Sequence, residues 1–172
     1  MPNPRNIFPD FKGEQNALKK FFTSLPKVVG VIATQHFTEG FRRGGFVDKT
    51  FEPWKPRKND KPKDKGRAIL VKTGSLRKAI RVIESNPKRV VVGVTDIPYA
   101  KLHNEGGTIT GTAQVRAHAR RQRSKNRIKS VTVKAHTRKL NIKIPARPFI
   151  KDSWVLSQRI ENYITTQLKG IL

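Results

Sequence analysis

One long stretch without acidic residues limits most strongly what this chain can fold into. No Asp or Glu occurs between Glu105 and Asp152, although this interval carries 13 of the 37 Lys and Arg residues. The formal net charge of the chain is +25, so about half of the excess lies in about a quarter of the length. An unpaired charge is costly to bury, so cationic side chains keep their ends in water or against an anion. We therefore expect these side chains to lie in water or against a polyanion, and the rest of the chain to be only mildly unusual in charge.

A short internal repeat lies within the acid-free stretch. Residues 115–121 (VRAHARR) recur as residues 133–139 (VKAHTRK), and small or apolar residues alternate with long polar ones in both copies. A period of two is typical of a β-strand, and the polar residues 122–130 between the copies predict a turn. We therefore expect a long basic β-hairpin arm over residues 108–144, inserted within the remaining domain.

Apolar residues at helical spacing predict helices near both ends of the chain. One pattern covers residues ~11–25, and a second starts at Pro26, which suits the first turn of a helix, and ends at Gly44–Gly45. A C-terminal helix, capped by Asp152 or Ser153, is expected to place six apolar side chains on one face. These six are Leu156, Ile160, Tyr163, Ile164, Leu168 and Ile171.

Short strands are predicted between these helices. Residues 81–84 and 89–94 are β-branched runs joined by Ser85–Lys88, which indicates an antiparallel pair. Residues 67–72 form a further strand candidate, and the alternating residues 140–144 predict a strand that ends at a proline.

Two short helical segments and a loop complete the expected organisation. Ser75–Ala79 predicts a helical turn with Ser75 as its cap, and Tyr99–Glu105 predicts a short helix. Residues 55–67 are basic and rich in proline, which favours a flexible loop. Helices at both ends with antiparallel strands between them predict a single α+β domain over residues 1–172, with an antiparallel sheet flanked by N-terminal helices and a C-terminal helix.

Composition excludes several classes of protein. The chain has no Cys, which rules out disulfides, thiolate zinc sites and Cys nucleophiles. The longest apolar run, residues 28–33, is far shorter than the ~20 residues of a transmembrane helix, and residues 1–6 do not resemble a secretory signal. We therefore expect no membrane partner, and the charge predicts a polyanionic one.

The histidines and acids offer little support for catalysis. His36 falls on the apolar side of a predicted helix, and His103 leads directly into a glycine pair, so packing and turn formation are the favoured roles. His118 and His136 occupy matched positions of the repeat, but no carboxylate or thiolate is near enough in the sequence to complete a metal shell. We predict no enzyme activity, no metal and no cofactor. A nuclease built around His103 and Glu105 is a weaker alternative.

The arm suits contact with nucleic-acid phosphates. Arg and Lys side chains on a ribbon contact phosphates without reading the base sequence. Aromatic residues are absent from residues 106–148, which argues against stacking of single-stranded bases. Threading of the arm between subunits is an equally weighted alternative. The candidate contact residues are Arg116, Arg120, Arg121, Arg123, Lys125, Arg127, Lys129, Lys134, Arg138 and Lys139.

Three sequence blocks and an upstream tryptophan resemble a known pattern. The blocks are residues 70–80 (LVKTGSLRKAI), 98–107 (PYAKLHNEGG) and 144–150 (IPARPFI), and Trp54, with a proline two residues later, precedes them. In this order, over roughly residues 50–155, they are similar to the phage virion morphogenesis family. That family comprises head–tail joining, neck and tail-completion proteins of tailed phages.

The resemblance implies structural roles for the residues of the blocks. The glycines would permit tight turns, the prolines would stiffen the approach to the last helix, and the polar side chains would tie short elements together or contact a neighbouring subunit. These residues are Trp54, Thr73, Gly74, Leu76, Tyr99, Ala100, His103, Gly106, Gly107, Pro145, Arg147, Pro148 and Phe149.

The resemblance also implies an assembly protein rather than an enzyme. It would form a homo-oligomeric ring, a hexamer or a dodecamer, around the DNA channel in the neck or at the top of the tail. Its partners would be a head connector or adaptor, tail terminator or tube proteins, and double-stranded DNA. The protein itself would be found in the virion and, during assembly, in the host cytoplasm. The alternative that rests on charge alone is a free nucleic-acid-binding protein, nucleoid- or RNA-associated.

Overall fold

The chain combines helices with short antiparallel strands. The computed structural model describes residues 11–57, 66–124 and 127–171, with the backbone alone for Ser124 and Arg127. Within these ranges the helices are α1 (Lys12–Arg43), α2 (Ser75–Lys78), α3 (Ala100–Glu105) and α4 (Trp154–Lys169). The strands are β1 (Gly45–Val47), β2 (Phe51–Pro53), β3 (Ile80–Asn86), β4 (Arg89–Val94), β5 (Gly107–Val115), β6 (His118–Ser124), β7 (Arg127–Val133) and β8 (His136–Ile144). The predicted α+β class is confirmed.

One helix, α1, replaces the two helices predicted at the N-terminal end. It runs through the buried Pro26, so the predicted break there is wrong. An interior proline removes a helical hydrogen bond and usually costs about 3 kcal/mol. The helix nevertheless continues because its buried residues form one stripe on both sides of the proline. They include Phe21, Gly30, Ala33, Phe37, Gly40 and Phe41. The predicted stop is confirmed, since Gly44 ends the helix with a left-handed φ of 74°.

The predicted antiparallel pair is confirmed as β3 and β4. Ile80 lies opposite Val94, and the pair closes at a turn where the Asn86 side-chain oxygen accepts hydrogen bonds from two following backbone N–H groups, 2.8 and 2.9 Å away. The helix α1 packs on this pair at close range, because Gly30 leaves room for Val82. The strands of the described residues form four separate two-stranded ladders.

The core lies between α1, the β3–β4 pair and the segments that follow them. Phe41 is the most enclosed large side chain, at 1 % exposure, and its ring lies 5.2 Å from the Trp54 ring and 5.5 Å from the Phe149 ring, between centroids. Phe46, Leu76, Ile80 and Ala100 complete the buried cluster. The helix α4 has its predicted apolar face half-buried and packs on α1, with Ser153 as its cap.

Two smaller predictions fail and one is largely outside the described residues. Residues 67–72 form turns rather than a strand, because Arg57 donates hydrogen bonds to the Arg67 and Ala68 carbonyls that a strand would use, at 2.9 and 2.7 Å. Ser75 is the first residue of α2 and does not cap it; the cap position belongs to Gly74. The predicted flexible loop, residues 55–67, lies mostly outside the described ranges.

The acid-free stretch forms an antiparallel arm. The strands β5 and β8 pair over their whole length and form the proximal ribbon, while β6 and β7 form the distal ribbon. The register is the same throughout, from Gly107 opposite Ile144 to Ser124 opposite Arg127. At ~3.4 Å per residue, the arm extends for about 60 Å when straight. None of its described side chains is buried.

Candidate nucleic-acid and subunit interface

Residues of the three sequence blocks converge at one place in the body. The indole N–H of Trp54 donates to the Pro148 carbonyl at 2.6 Å. The Arg147 guanidinium, 8 % exposed, donates to the Lys55 carbonyl at 2.8 Å and to the Pro56 carbonyl at 3.2 Å. Two segments more than ninety positions apart in the sequence are therefore tied by side chains that donate to backbone oxygens.

Asn104, which lies in the second block and has no role predicted from the sequence, connects the second block to the third. Its side-chain oxygen accepts hydrogen bonds from the backbone N–H groups of Phe149 and Ile150, at 2.9 and 3.1 Å. Its side-chain nitrogen donates to the Ile150 carbonyl at 3.0 Å. The amide thus pairs with the backbone like a neighbouring strand and holds Phe149 in the core.

Two glycines of the blocks have a positive φ. Gly74 has a φ of 80° and Gly106 a φ of 78°. At Gly106 a Cβ would also lie 2.6 Å from the Ala146 backbone nitrogen, which leaves no room for a side chain. The close approach brings the end of α3 against the segment that leaves the arm, where Arg147 N–H donates to the His103 carbonyl at 2.9 Å.

The remaining block residues surround this junction. Leu76 and Ala100 are buried in the core, and the Thr73 and Ser75 hydroxyls lie 2.7 Å apart beside α2. The Tyr99 ring packs edge-on against His103, with 5.7 Å between centroids. Gly107 begins and Pro145 follows the arm, so both stand where the arm joins the body.

The proximal ribbon has two unlike faces. Cross-strand partners share a face, so Ile109 lies beside Ile142, and Leu140 beside Gly111. This apolar face is open, with Ile109 40 % and Ile142 46 % exposed. The opposite face carries the pairs Thr108–Lys143 and Thr112–Lys139. One face of the proximal ribbon is therefore apolar near the body and reaches Arg138, opposite Ala113, further out, whereas the other face carries polar and cationic side chains.

The internal repeat marks a break in the arm and not, as predicted, two continuous strands. Both ladders stop at Arg116–Ala117 on one side and at Lys134–Ala135 on the other. The Nδ1 of His118 donates to the Arg116 carbonyl at 3.0 Å, and the Nδ1 of His136 donates to the Lys134 carbonyl at 2.9 Å. The two copies therefore form the same local turn on opposite strands, and the imidazoles complete backbone bonds that the ladder lacks.

Most of the candidate contact residues lie on the distal ribbon and at the break. The alternation of a strand places Arg121 and Arg123 on one face, and Arg120 and Lys129 on the other. The rest lie at the break (Arg116, Lys134), on the proximal ribbon (Arg138, Lys139), at Lys125 outside the described residues and at Arg127, described by its backbone only. Those with described side chains are exposed, and no ion pair with a described carboxylate involves them.

A comparison with protein families assigns the chain. The family model described as the phage virion morphogenesis family matches residues 44–169. The chain belongs to this family. The match extends the resemblance from residues 50–155 to the end of α4. No curated protein and no solved structure matches it. Membership gives the protein a role in the assembly of the phage virion and an association with it.

The described part of this virion morphogenesis protein shows no cluster typical of a metal site. Within it, no three His, Asp or Glu side chains come together. None of its helices is long and apolar enough to cross a membrane.

Sequence reasoning missed further polar residues that position the helices. The Ser153 hydroxyl donates to the Val47 carbonyl at 2.8 Å and accepts from the Leu156 N–H at 3.2 Å, so one side chain caps α4 and ties it to β1. The Asp48 carboxylate accepts from the Trp154 N–H at 2.8 Å. Only the cap was visible in the sequence, because the other partners are about a hundred residues away.

One buried histidine, His36, and one half-buried histidine, His103, are expected to make the stability of this morphogenesis protein depend on pH. Burial, and then the charge of Arg159, lower the pKa of His36; burial, and then Arg147, lower the pKa of His103. The unfolded chain, with histidine pKa values near 6.5, takes up protons first as pH falls. We expect the melting temperature to hold above pH 7 and to fall as pH drops below about 6.5. His36→Gln should flatten this fall; an unchanged slope would contradict the assignment.

Proposed function

We propose that the protein joins phage head and tail as a homo-oligomeric ring in the neck or at the tail top, with double-stranded DNA passing through it. The family assignment supports an assembly role. The observation that carries the finer proposal is the division of the arm into a proximal ribbon with an exposed apolar face and a distal ribbon with cations on both faces.

The proximal ribbon supports contact between subunits. An isolated two-stranded ribbon is marginally stable in water, and it needs a third strand or a packed surface against its apolar side. Ile109 and Ile142 meet across the strands and are open to solvent in the single chain. A second copy of the protein is the proposed cover, since a ring presents the same surface to every subunit.

The distal ribbon supports contact with DNA phosphates. Its exposed guanidinium groups have no acidic residue near them in the sequence. A guanidinium group can bind a phosphate through two parallel hydrogen bonds, and such contacts contribute much of the affinity of proteins for DNA. Cations on both faces fit a ribbon beside the duplex backbone better than a reader of base edges. The contact is therefore independent of base sequence, as a conduit for packaged DNA requires.

The protein acts in this proposal by joining surfaces rather than by catalysis. A head connector or adaptor would lie on one side of the ring and a tail terminator or tube on the other. Subunits with a formal charge of +25 repel each other, so acidic partners or DNA are expected to favour assembly.

Electron microscopy of the purified protein tests the ring. We expect annular particles with a central channel, whose fraction rises when duplex DNA is added. In the presence of DNA, this fraction should fall as increasing salt weakens the phosphate contacts. A protein that stays monomeric with and without DNA, and is absent from purified virions, would overturn the proposal in favour of the free nucleic-acid binder.

Neutralising three distal arginines tests the DNA contact. The triple change Arg120→Gln, Arg121→Gln and Arg123→Gln is expected to weaken binding to a short duplex at least tenfold, and to reduce the salt slope by up to about 2.7, at ~0.9 per phosphate contact. Fluorescence anisotropy between 50 and 200 mM salt measures both. The control changes the exposed α1 lysines Lys19, Lys20 and Lys27 to Gln, which removes the same charge. Equal losses in both proteins would argue against a specific role of the arm.

A single substitution on the proximal ribbon tests the subunit contact. Ile142→Asp places a charge on the exposed apolar face and is expected to reduce ring formation more than fivefold, with the melting temperature nearly unchanged because the site is exposed. Ile83→Asp, at a position 52 % exposed on β3, is the matched control. Rings that form equally well from both variants would exclude the apolar face as an interface.

A further inference from the structure

A cavity of about 500 Å³ opens in the body, away from the arm. Its wall includes residues of all three sequence blocks. They are residues 70–76, which lead into α2, Tyr99 at the start of α3, His103 within α3, and Arg147. The proposed ring contact and DNA contact do not use it. Its volume lies within the range of about 300–1,000 Å³ that is usual for ligand sites.

The charged side chains among the described lining residues of this cavity are all cationic. Arg57, Arg67, Lys72 and Arg147 contribute to its wall, and none of its described lining residues is acidic. Burial, and then the neighbouring Arg57 charge, lower the pKa of Arg147. The Lys55 and Pro56 carbonyls accept hydrogen bonds from two nitrogens of Arg147 but provide no negative charge. An anion in the cavity would offset this repulsion.

One buried polar atom in the wall lacks a partner. Nδ1 of His103 is enclosed, and no described residue forms a hydrogen bond with it. Buried polar atoms are almost always paired, and an unpaired one costs about 1–3 kcal/mol. A ligand oxygen or N–H group at this position would complete the bond.

One part of the wall is apolar and includes a strained residue. Ile69, Leu70, Val71 and Leu76 line the cavity. Leu70 has a φ of 59°, a left-handed conformation that is uncommon for residues other than glycine and tends to occur at ligand sites. The turn thus holds a leucine backbone in an unfavourable state at the point where the apolar and cationic parts of the wall meet.

We propose that this cavity binds an acidic peptide segment of a partner protein, in which a carboxylate is adjacent to a large aliphatic side chain. The carboxylate lies among Lys72 and Arg147, and the aliphatic group lies against Leu70 and Val71. A phosphate or a DNA backbone would meet only the cationic part and would leave the apolar wall exposed. The mixed wall therefore selects a peptide over both.

The test uses three labelled hexapeptides with blocked ends and the full-length protein. One alternates leucine with glutamate, the second leucine with glutamine, and the third glycine with glutamate. We expect the leucine–glutamate peptide to bind at least tenfold more tightly than either of the others in an anisotropy titration, and amide shifts at Val71 and Gly74 to locate it.

Two lysine variants and the arm variant separate the cavity from the general charge. Lys72→Glu is expected to weaken the leucine–glutamate peptide about tenfold or more, whereas Lys88→Glu, the same change at an exposed turn, should have less than a twofold effect. The triple distal arginine variant should bind this peptide as the original protein does. Lys72 is exposed, so its substitution leaves the Arg147 contacts that hold the fold intact.

Several results would overturn the proposal. They are equal binding of the leucine–glutamate and glycine–glutamate peptides, loss of binding in the arm variant alone, or full competition by inorganic phosphate at equal concentration. Weakened duplex DNA binding by Lys72→Glu, with peptide binding unchanged, would assign the cavity to nucleic acid. None of these outcomes depends on whether the protein forms a ring.

Discussion

Replacing residues 116–135 with the dipeptide Asn-Gly is expected to leave the body folded and to abolish the production of infectious particles. Val115 and His136 lie opposite each other, so the inserted Asn-Gly connects them as a two-residue hairpin turn that closes the proximal ribbon. No core residue belongs to the removed segment. The melting temperature should therefore change by only a few degrees.

The functional loss in this variant follows from what the excision removes. The segment carries eight of the Lys and Arg residues, and with them the whole distal ribbon. Complementation of a phage that lacks this protein is expected to fall by at least about a hundredfold, with duplex binding lost at 200 mM salt, because binding to DNA phosphates depends on the number of contacts. Normal plaque yield from the excised protein would contradict the assignment of DNA contact to the arm.

A full-length control distinguishes the effect of the positive charge of the arm from the effect of its length. This variant keeps the whole arm and changes to Gln the cations of the break and of the distal ribbon whose side chains are described. They are Arg116, Arg120, Arg121, Arg123, Lys129 and Lys134. If charge is what matters, both variants fail; if only the excised protein fails, the arm acts through its length.

Asn104→Ala is expected to give the largest loss of stability of any single exposed or half-buried position. The change removes three hydrogen bonds and leaves the Phe149 and Ile150 N–H groups without their acceptor next to the core. At about 1–3 kcal/mol for each enclosed group, the free energy of unfolding should fall by about 3 kcal/mol or more. For a chain of this size, that lowers the melting temperature by about 10 °C.

A matched asparagine gives the comparison for this substitution. Asn141 lies on β8 with an exposed side chain, so Asn141→Ala should change the melting temperature by less than about 2 °C. Asn104→Asp keeps the acceptor oxygen and should lie between the two. Equal melting temperatures for the Asn104→Ala and Asn141→Ala proteins would show that the amide does not support the junction.

Local patterns predicted the elements that depend on neighbours in the sequence. Alternation identified the arm, β-branched runs identified β3 and β4, and helical spacing identified α4. The same spacing did not show that α1 continues through Pro26, because the packing that offsets the lost hydrogen bond comes from strands far along the chain. Residues 67–72 were predicted as a strand from their apolar run. In the structure, the Arg57 side chain instead donates hydrogen bonds to two backbone carbonyls of this run.

The candidate site was predictable only in part, for a related reason. The count of charged residues located the cations of the arm. The break at the repeat was not predicted, because alternation in the sequence is the same for a paired strand and for an extended segment that has no partner strand. The junction depends on contacts such as the Trp54 indole with the Pro148 carbonyl, which nothing local specifies. Asn104 left no signal beyond its place beside a glycine pair.

The break in the arm has a mechanical consequence. The break consists of Arg116–Ala117 on one side of the arm and Lys134–Ala135 directly opposite. The strand register is the same before and after it, and no β-ladder pairing joins these residues. Bending there breaks no inter-strand hydrogen bond and shifts no pairing, so each half of the arm stays intact while their relative angle changes. The distal ribbons of identical copies of the protein can thus point in different directions relative to their bodies.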